Sequence, residues 1–302
     1  MSEAGAAATE IEIPAPPRRH RPWFVLVAAA LRQGRTRLGI VLLLLLVGTA
    51  LLGPYFAPYS PTEFVAPPFS APSADALFGA DNLGRDVWSR FLWGGRSVLA
   101  LSALATLIGV VFGTAIGLVA SYSRGTLDDA LMRSMDVILS FPQIVFALVL
   151  AATVGPQLWL LVLAVGITTV PRVARIARGA AVEVVERDFI RAAEAVGESR
   201  RRILLGDVLP NITGPLVVEA SLRLSFNIAV VAGLSFLGFG IQPPSADWGL
   251  MINENRNGLT IQPWPVVLPV VAIGLLTIAT SLIGDGLSRA VAGIDGGSET
   301  KK

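Results

Sequence analysis

The chain has 302 residues, is 53% hydrophobic and only 15% charged, and carries a formal net charge of +2. Soluble domains usually carry about 25% charged residues, so composition points to a membrane protein, read as one helical bundle where about 150 residues per domain would suggest two domains. Cysteine is absent, His20 is the single histidine, and lysine occurs only at Lys301 and Lys302. Disulfides, thiolate nucleophiles, Cys or His metal centres, a Ser-His-Asp triad and a GxxxxGK[ST] phosphate loop are thereby excluded.

In chain order, residues 1–22 are polar and proline-rich (IPAPPRRHRP). No small-residue cleavage site precedes the first long apolar run, so a cleavable signal is not expected. The short apolar run 23–31, flanked by arginines, reads either as an amphipathic helix along the membrane surface or as a partly ordered tail. Residues 1–37 are taken as a cytoplasmic tail. LGIVLLLLLVGTALLGPYFA (38–57) is long enough to span, since about 20 apolar residues cross a hydrocarbon core of about 30 Å. Residues 58–96 form an extracytoplasmic segment, and a second span covers 97–120 within a transmembrane domain of 97–290. No charge falls between Asp136 and Arg172, an interval of 35 residues. At 1.5 Å per residue that is roughly 52 Å, too long for one crossing. Gly155-Pro156 supplies the break, which predicts a hairpin of 137–154 and 158–171, the latter continuing into a polar helix. A fifth span near 222–241 and a sixth at 265–284 complete six, with 291–302 as a second cytoplasmic tail.

Arginine placement sets the expected orientation. With the N-terminus inside, the inner segments hold Arg18, Arg19, Arg21, Arg32, Arg35, Arg37, Arg124, Arg133 and the eight arginines from Arg172 to Arg202. The outer segments hold only Arg85, Arg90, Arg96 and Arg256. Both termini are therefore expected in the cytoplasm.

Gly109, Gly113 and Gly117 share one helix face and allow close backbone approach, either against a second transmembrane subunit or within this bundle. Asp136, one turn after Arg133, reads as a structural ion pair, although a buried acid at that place could also relay protons. Pro142 is expected to kink the third span. Glu219 and Arg223, four apart, read as a second pair, and Asp285 closes the sixth span. No other acid lies at mid-membrane.

RDFIRAAEAVGESRRRILLGDVLPN (187–211) carries five arginines and four acids between apolar runs. Phe189, Ala192, Ala193 and Val196 fall on one narrow apolar face. Gly197 weakens or bends that helix, Arg200–Arg202 open a second segment, and Pro210 stops or kinks a helix continuing toward the membrane. The pattern predicts a short helix, a bend and a return helix. It fits a docking handle for a partner or a solvated loop held near anionic lipid, and pattern alone leaves both open.

The order A-A-x-x-x-G followed by L-P, at Ala192-Ala193, Gly197 and Leu209-Pro210, resembles the EAA signature of bacterial ABC-importer permeases. FGADNLGRDVWSRFLWGGRSVLALS (78–102), GLSFLGFGIQPPSADWGLMINENR (233–256), MDVILSFPQI and LIGDGLSRA resemble the second permease subunit of dipeptide, oligopeptide and nickel importers, the DppC/OppC group, and the likeness covers roughly residues 30–293. Arg191 stands where that family usually has glutamate, with Glu194 a turn later, and Asp207 stands where isoleucine is expected.

The resemblance implies an all-α, six-helix type I importer permease of the bacterial cytoplasmic membrane. It is not itself an enzyme and has no metal or cofactor of its own. ATP and Mg would be bound by two partner ATPase subunits. A second homologous permease, an extracytoplasmic substrate-binding protein and membrane lipid are the other implied partners, with no nucleic acid. The loop at 187–211 is then the ATPase-coupling element (Ala192, Ala193, Glu194, Gly197, Leu209, Pro210). Gly84, Arg85, Asp86, Trp248 and Glu254 are candidate contacts to the binding protein. The cargo would be di- or oligopeptides moved by alternating access, with nickel complexes, glutathione or other small solutes as alternatives. A stand-alone secondary transporter or channel is the competing class. The missing mid-membrane acids and the EAA pattern speak against it. A structural membrane scaffold would leave the outer motifs without a purpose.

Overall fold

The computed structural model describes residues 28–123 and 125–296, with side chains as far as residue 293. The expected surface helix over 23–31 falls mostly outside those residues, of which 28–31 are helical. Apolar runs become helices because backbone N–H and C=O groups have no partner in lipid except each other. Among the described residues there is accordingly no strand, only two isolated bridges, Phe64 with Arg85 and Ala80 with Asp86.

Five helices are long and apolar enough to cross a membrane: α1 (Gly34–Phe56), α2 (Val87–Ser123), α5 (Leu158–Val185), α9 (Thr213–Phe236) and α11 (Trp264–Gly296). Six are reached only by counting α3 (Thr126–Leu139) and α4 (Gln143–Val154) as one span bent by 76°. The expected single span over 137–154 is therefore corrected. Pro142 lacks the N–H that would continue the helix, and the chain breaks at residues 140–142 instead of merely kinking. Gly155 ends α4 at φ +98°, as the Gly-Pro pair predicted.

The other boundaries move where charges are paired. Helix α2 starts ten residues before the expected 97, and Arg90, expected in the extracytoplasmic segment, lies buried among partners in its first turn. Helix α9 starts at Thr213, not 222, since Glu219 and Arg223 neutralise each other at 2.8 Å within it. Helix α11 runs on past Asp285 to Gly296.

The glycine row on α2 packs inside this chain. An added Cβ at Gly109 would stand 2.4 Å from the Thr169 side chain, one at Gly113 2.6 Å from Val173, and one at Gly117 2.6 Å from the Ala174 carbonyl, all on α5. Reciprocally, Gly166 of α5 accepts Ile108 of α2. This close pair is tied to α9 by a buried polar knot: Asn227 donates to the Thr106 hydroxyl at 2.9 Å, and the Thr169 hydroxyl donates to Asn227 at 3.2 Å. On the other side of the bundle, α11 meets α9 through Ser225 and Thr280 at 2.8 Å, and it meets α1 at Gly39 and Gly286.

Helices α2, α5 and α11 run in one direction and α1 and α9 in the other, so the bundle has two distinct ends. One carries the 187–211 loop, the start of α1 and the end of α11, where Gln33 donates to the Gly286 carbonyl. The other carries residues 58–86 and α10 (Trp248–Asn255).

Candidate functional site

At the loop end, α6 (Asp188–Ala195) follows α5 directly. Ile190 is completely buried, and with Ala193 it packs into a core of Leu118, Val173, Ala177, Ile203, Val208 and Leu216. That core joins the ends of α2 and α5 to the start of α9, so the loop is seated on the bundle rather than hanging from it. Ala192, Glu194 and Ala195 are exposed, as are the large apolar side chains of Phe189 and Val196 (42% and 85%). Helix α6 therefore has two apolar faces: Ile190 and Ala193 turn inward, and Phe189, Ala192 and Val196 turn outward. The sequence pattern had placed Ala193 with the outward set and had passed over Ile190.

Gly197 ends α6 at φ +87°, a backbone conformation that favours glycine. Its N–H donates to the Glu194 carbonyl and the Glu198 N–H donates to the Ala193 carbonyl, both at 3.0 Å. These are the two bonds of a Schellman cap, which fixes the angle at which the chain leaves. The return segment is α7 (Arg200–Arg202), a π-helical turn at Ile203–Val208, and α8 (Leu209–Asn211). The wide turn lies just before Pro210, where an N–H is missing. Ile203 and Val208 are fully buried on the same core as Ile190. Glu194 accepts a hydrogen bond of 2.7 Å from the Tyr122 hydroxyl near the end of α2, and the Arg200 guanidinium lies 5.7 Å from the centre of the Tyr122 ring. Arg191 sits 3.8 Å from Asp188 on an open surface.

Two further pairs brace this end. Arg178 of α5 holds Asp128 of α3 through two short hydrogen bonds, of 2.6 and 2.5 Å. Asp136 pairs with Arg175 of α5. The expected partner Arg133 is corrected: α3 packs along α5, and its Asp128 and Asp136 both meet arginines of α5.

At the opposite end, the residues expected to face a binding protein are mostly interior. Arg85 and Asp86 are 2% exposed and Trp248 is fully buried. Arg85 contacts Asp81 at 2.7 Å and Glu254 at 2.9 Å, while Arg90 contacts Glu254 at 2.8 Å and Asp81 at 3.3 Å. Two guanidinium groups and two carboxylates thus close a balanced quartet that staples residues 78–90 to α10. Asp86 precedes α2 and accepts from the Ser89 N–H at 2.8 Å, a helix cap. Asp247 caps α10 in the same way through the Leu250 N–H at 2.9 Å.

Trp248 donates to the Phe91 carbonyl at 2.9 Å. It stands in a ring ladder with Phe91, Trp88 and Phe78 at centroid spacings of 5.5, 5.5 and 5.2 Å. Gly94 and Gly95 leave room beneath its indole. Gly84, at φ +79°, brings its backbone so close to Ala66 that a Cβ would lie 2.2 Å from the Ala66 oxygen. Sequence reasoning missed Asp81 and Arg90 as members of the quartet. The available signal was the density of charges in residues 81–90 of an otherwise apolar chain.

No group of three or more potential metal ligands exists among the described residues. The described residues thus form an all-helical bundle with five helices long and apolar enough to cross a membrane and a polar loop seated on its core. The chain belongs to the family of binding-protein-dependent transport system inner membrane components, whose pattern matches residues 109–293. It is accordingly an inner-membrane permease component of the ABC-importer type. It is 36% identical over 272 residues to the glutathione transport system permease protein GsiD of Pectobacterium atrosepticum, covering 89% of this chain and 90% of the relative. It is also 36% identical over 260 residues to the di/tripeptide transport system permease protein DppC of Pseudomonas aeruginosa, covering 84% and 86%. Among solved structures, the fold is similar to the inward-facing MetNI methionine ABC transporter. The TM-score is 0.50 at 19% identity, over 66% of this chain and 96% of the other.

Proposed function

We propose that the chain is one of two related permeases of an ATP-driven importer that carries di- or oligopeptides inward. The observation that carries this reading is α6: a short helix with an exposed apolar face, anchored by Ile190 and terminated by Gly197. Such an element transmits force, because pushing its outer face displaces the shared core of α2, α5 and α9. Two ATPase subunits bind ATP and Mg and hydrolyse the nucleotide, and one of them grips α6 through Phe189, Ala192 and Val196. Leu209 and Pro210 shape the return segment, and Glu194 holds the helix to Tyr122. Nucleotide then biases a two-state bundle between outward and inward openings.

Arginine density at the loop end supports a cytoplasmic position for that end and for both termini. The opposite end receives an extracytoplasmic binding protein. In this reading Gly84, Arg85, Asp86, Trp248 and Glu254 serve that contact from within, by fixing the shape of the outer platform. The peptide assignment is supported by relatives named for di/tripeptide and glutathione transport.

The test is reconstitution of the whole complex in proteoliposomes with its binding protein and a labelled dipeptide mixture. Uptake is expected only with ATP inside the ATPase-accessible compartment. Uptake driven by a proton or sodium gradient without ATP would overturn the assignment.

A further inference from the structure

One group on the bundle is not used by either end. Arg172 of α5 and Arg223 of α9 both lie over the ring of Phe226, at 5.7 and 5.9 Å from its centroid. Phe226 is 53% exposed, and Arg172 is also exposed. Arg223 is neutralised by Glu219, whereas no carboxylate lies within ion-pair distance of Arg172 among the described residues. Arg175, one turn further along α5, is matched by Asp136. The group therefore carries one uncompensated positive charge beside an open aromatic face.

Its depth gives that charge meaning. Arg223 stands ten residues into α9, about 15 Å along a helix of about 36 Å. Arg172 stands fourteen residues into α5, about 21 Å along about 42 Å. Arg172 stands one turn further into the bundle than the Arg175–Asp136 pair. An exposed cation within a spanning helix is costly against hydrocarbon and belongs on a protein interior or a water-filled path. The guanidinium offers a planar fork matched to a carboxylate.

We infer that Arg172, with Arg223 and Phe226, forms a recognition point on the translocation path for the C-terminal carboxylate of a passing peptide. This rests on the peptide-importer reading and adds a chemical requirement to it. Arg172 supplies the free charge, the Glu219 pair holds Arg223 in place, and the Phe226 face packs against the adjoining apolar side chain of the cargo.

The chain has no cysteine, so Ala229→Cys places a single thiol one turn from Phe226 on the exposed face of α9. In the complete reconstituted transporter, its alkylation by N-ethylmaleimide is timed with a mixture of di- and tripeptides, and with the same peptides C-terminally amidated. The thiol is expected to react, to be protected about threefold or more by the free acids and not by the amides, and to lose that protection in Arg172→Gln. Arg172→Lys should restore part of it. An unreactive thiol would mean that lipid or the second permease covers the patch, and the inference would fall. Equal protection by acids and amides, or protection that survives Arg172→Gln, would also overturn it. Dipeptide uptake by the Ala229→Cys transporter, run alongside, separates the two proposals. Uptake without selective protection removes the recognition point alone, and absence of uptake of any peptide by the unmodified transporter removes the peptide reading itself.

Discussion

Replacing Gly197 isolates the role of the loop. Its φ of +87° is held by two 3.0 Å hydrogen bonds, and an added Cβ would meet nothing within 4 Å. Gly197→Ala therefore costs only the left-handed backbone penalty, about 1–2 kcal/mol, which lowers the ratio of capped to uncapped loop about five- to thirtyfold. Gly197→Pro is different in kind. Proline is fixed near φ −65° and has no N–H, so neither the turn nor the bond to Glu194 can form. The buried Ile190 and Ile203 anchors would then pull against a misdirected connection. Because the substitution leaves the apolar spans unchanged, membrane abundance should be normal. ATP-dependent uptake, measured against abundance by immunoblot, should be reduced in Gly197→Ala and abolished in Gly197→Pro. Normal uptake by a fully expressed Gly197→Pro chain would refute the idea that the capped loop transmits the motor stroke.

At the outer platform, Glu254→Gln leaves Arg85 and Arg90 facing one acid instead of two. Losing one partner of a buried charge group costs about 3–5 kcal/mol, so the detergent-solubilised melting temperature should fall and residues 58–86 should become protease-sensitive; an unchanged melt would mean the quartet is not a staple. Gly113→Leu forces a side chain into Val173, where even a Cβ stands 2.6 Å away. Overpacking should cost about 1–3 kcal/mol or more, while Gly48→Leu, with open space around it, should be near neutral by the same melt. Asn227→Leu should cost only about 1–2 kcal/mol, because the Thr106 and Thr169 hydroxyls keep their 2.7 Å bonds to the Ser102 and Val165 carbonyls. A collapse of expression would show the polar knot to be worth far more.

The helical class and the approximate spans were legible because long apolar runs have one stable solution in lipid. The loop was legible for a related reason: its charges interrupt that pattern, and Gly197 and Pro210 mark its turns. What the sequence concealed were the long-range pairings. Arg90 read only as one of the arginines of an extracytoplasmic segment, yet it is buried against Asp81 and Glu254, the latter 164 residues away. Asp136 had a plausible neighbour one turn back, and the true partner is 39 residues on. The Gly109 row admitted a neighbour within this bundle or on a second subunit, and only the position of α5 decides. The glycine face, the quartet and the Asn227 knot all depend on which helices become neighbours, and local periodicity does not encode that.

Whether α6 is the surface an ATPase grips can be read directly. Ala195 is exposed on α6 and the chain has no native thiol, so Ala195→Cys gives one crosslinking point. A thiol-reactive crosslinker is applied to native membranes, and mass spectrometry of the product identifies the neighbour. An ATP-binding subunit is expected, captured with a yield that changes with nucleotide. Capture of lipid alone, or of no protein under any nucleotide condition while the transporter remains active, would contradict a gripping role for α6.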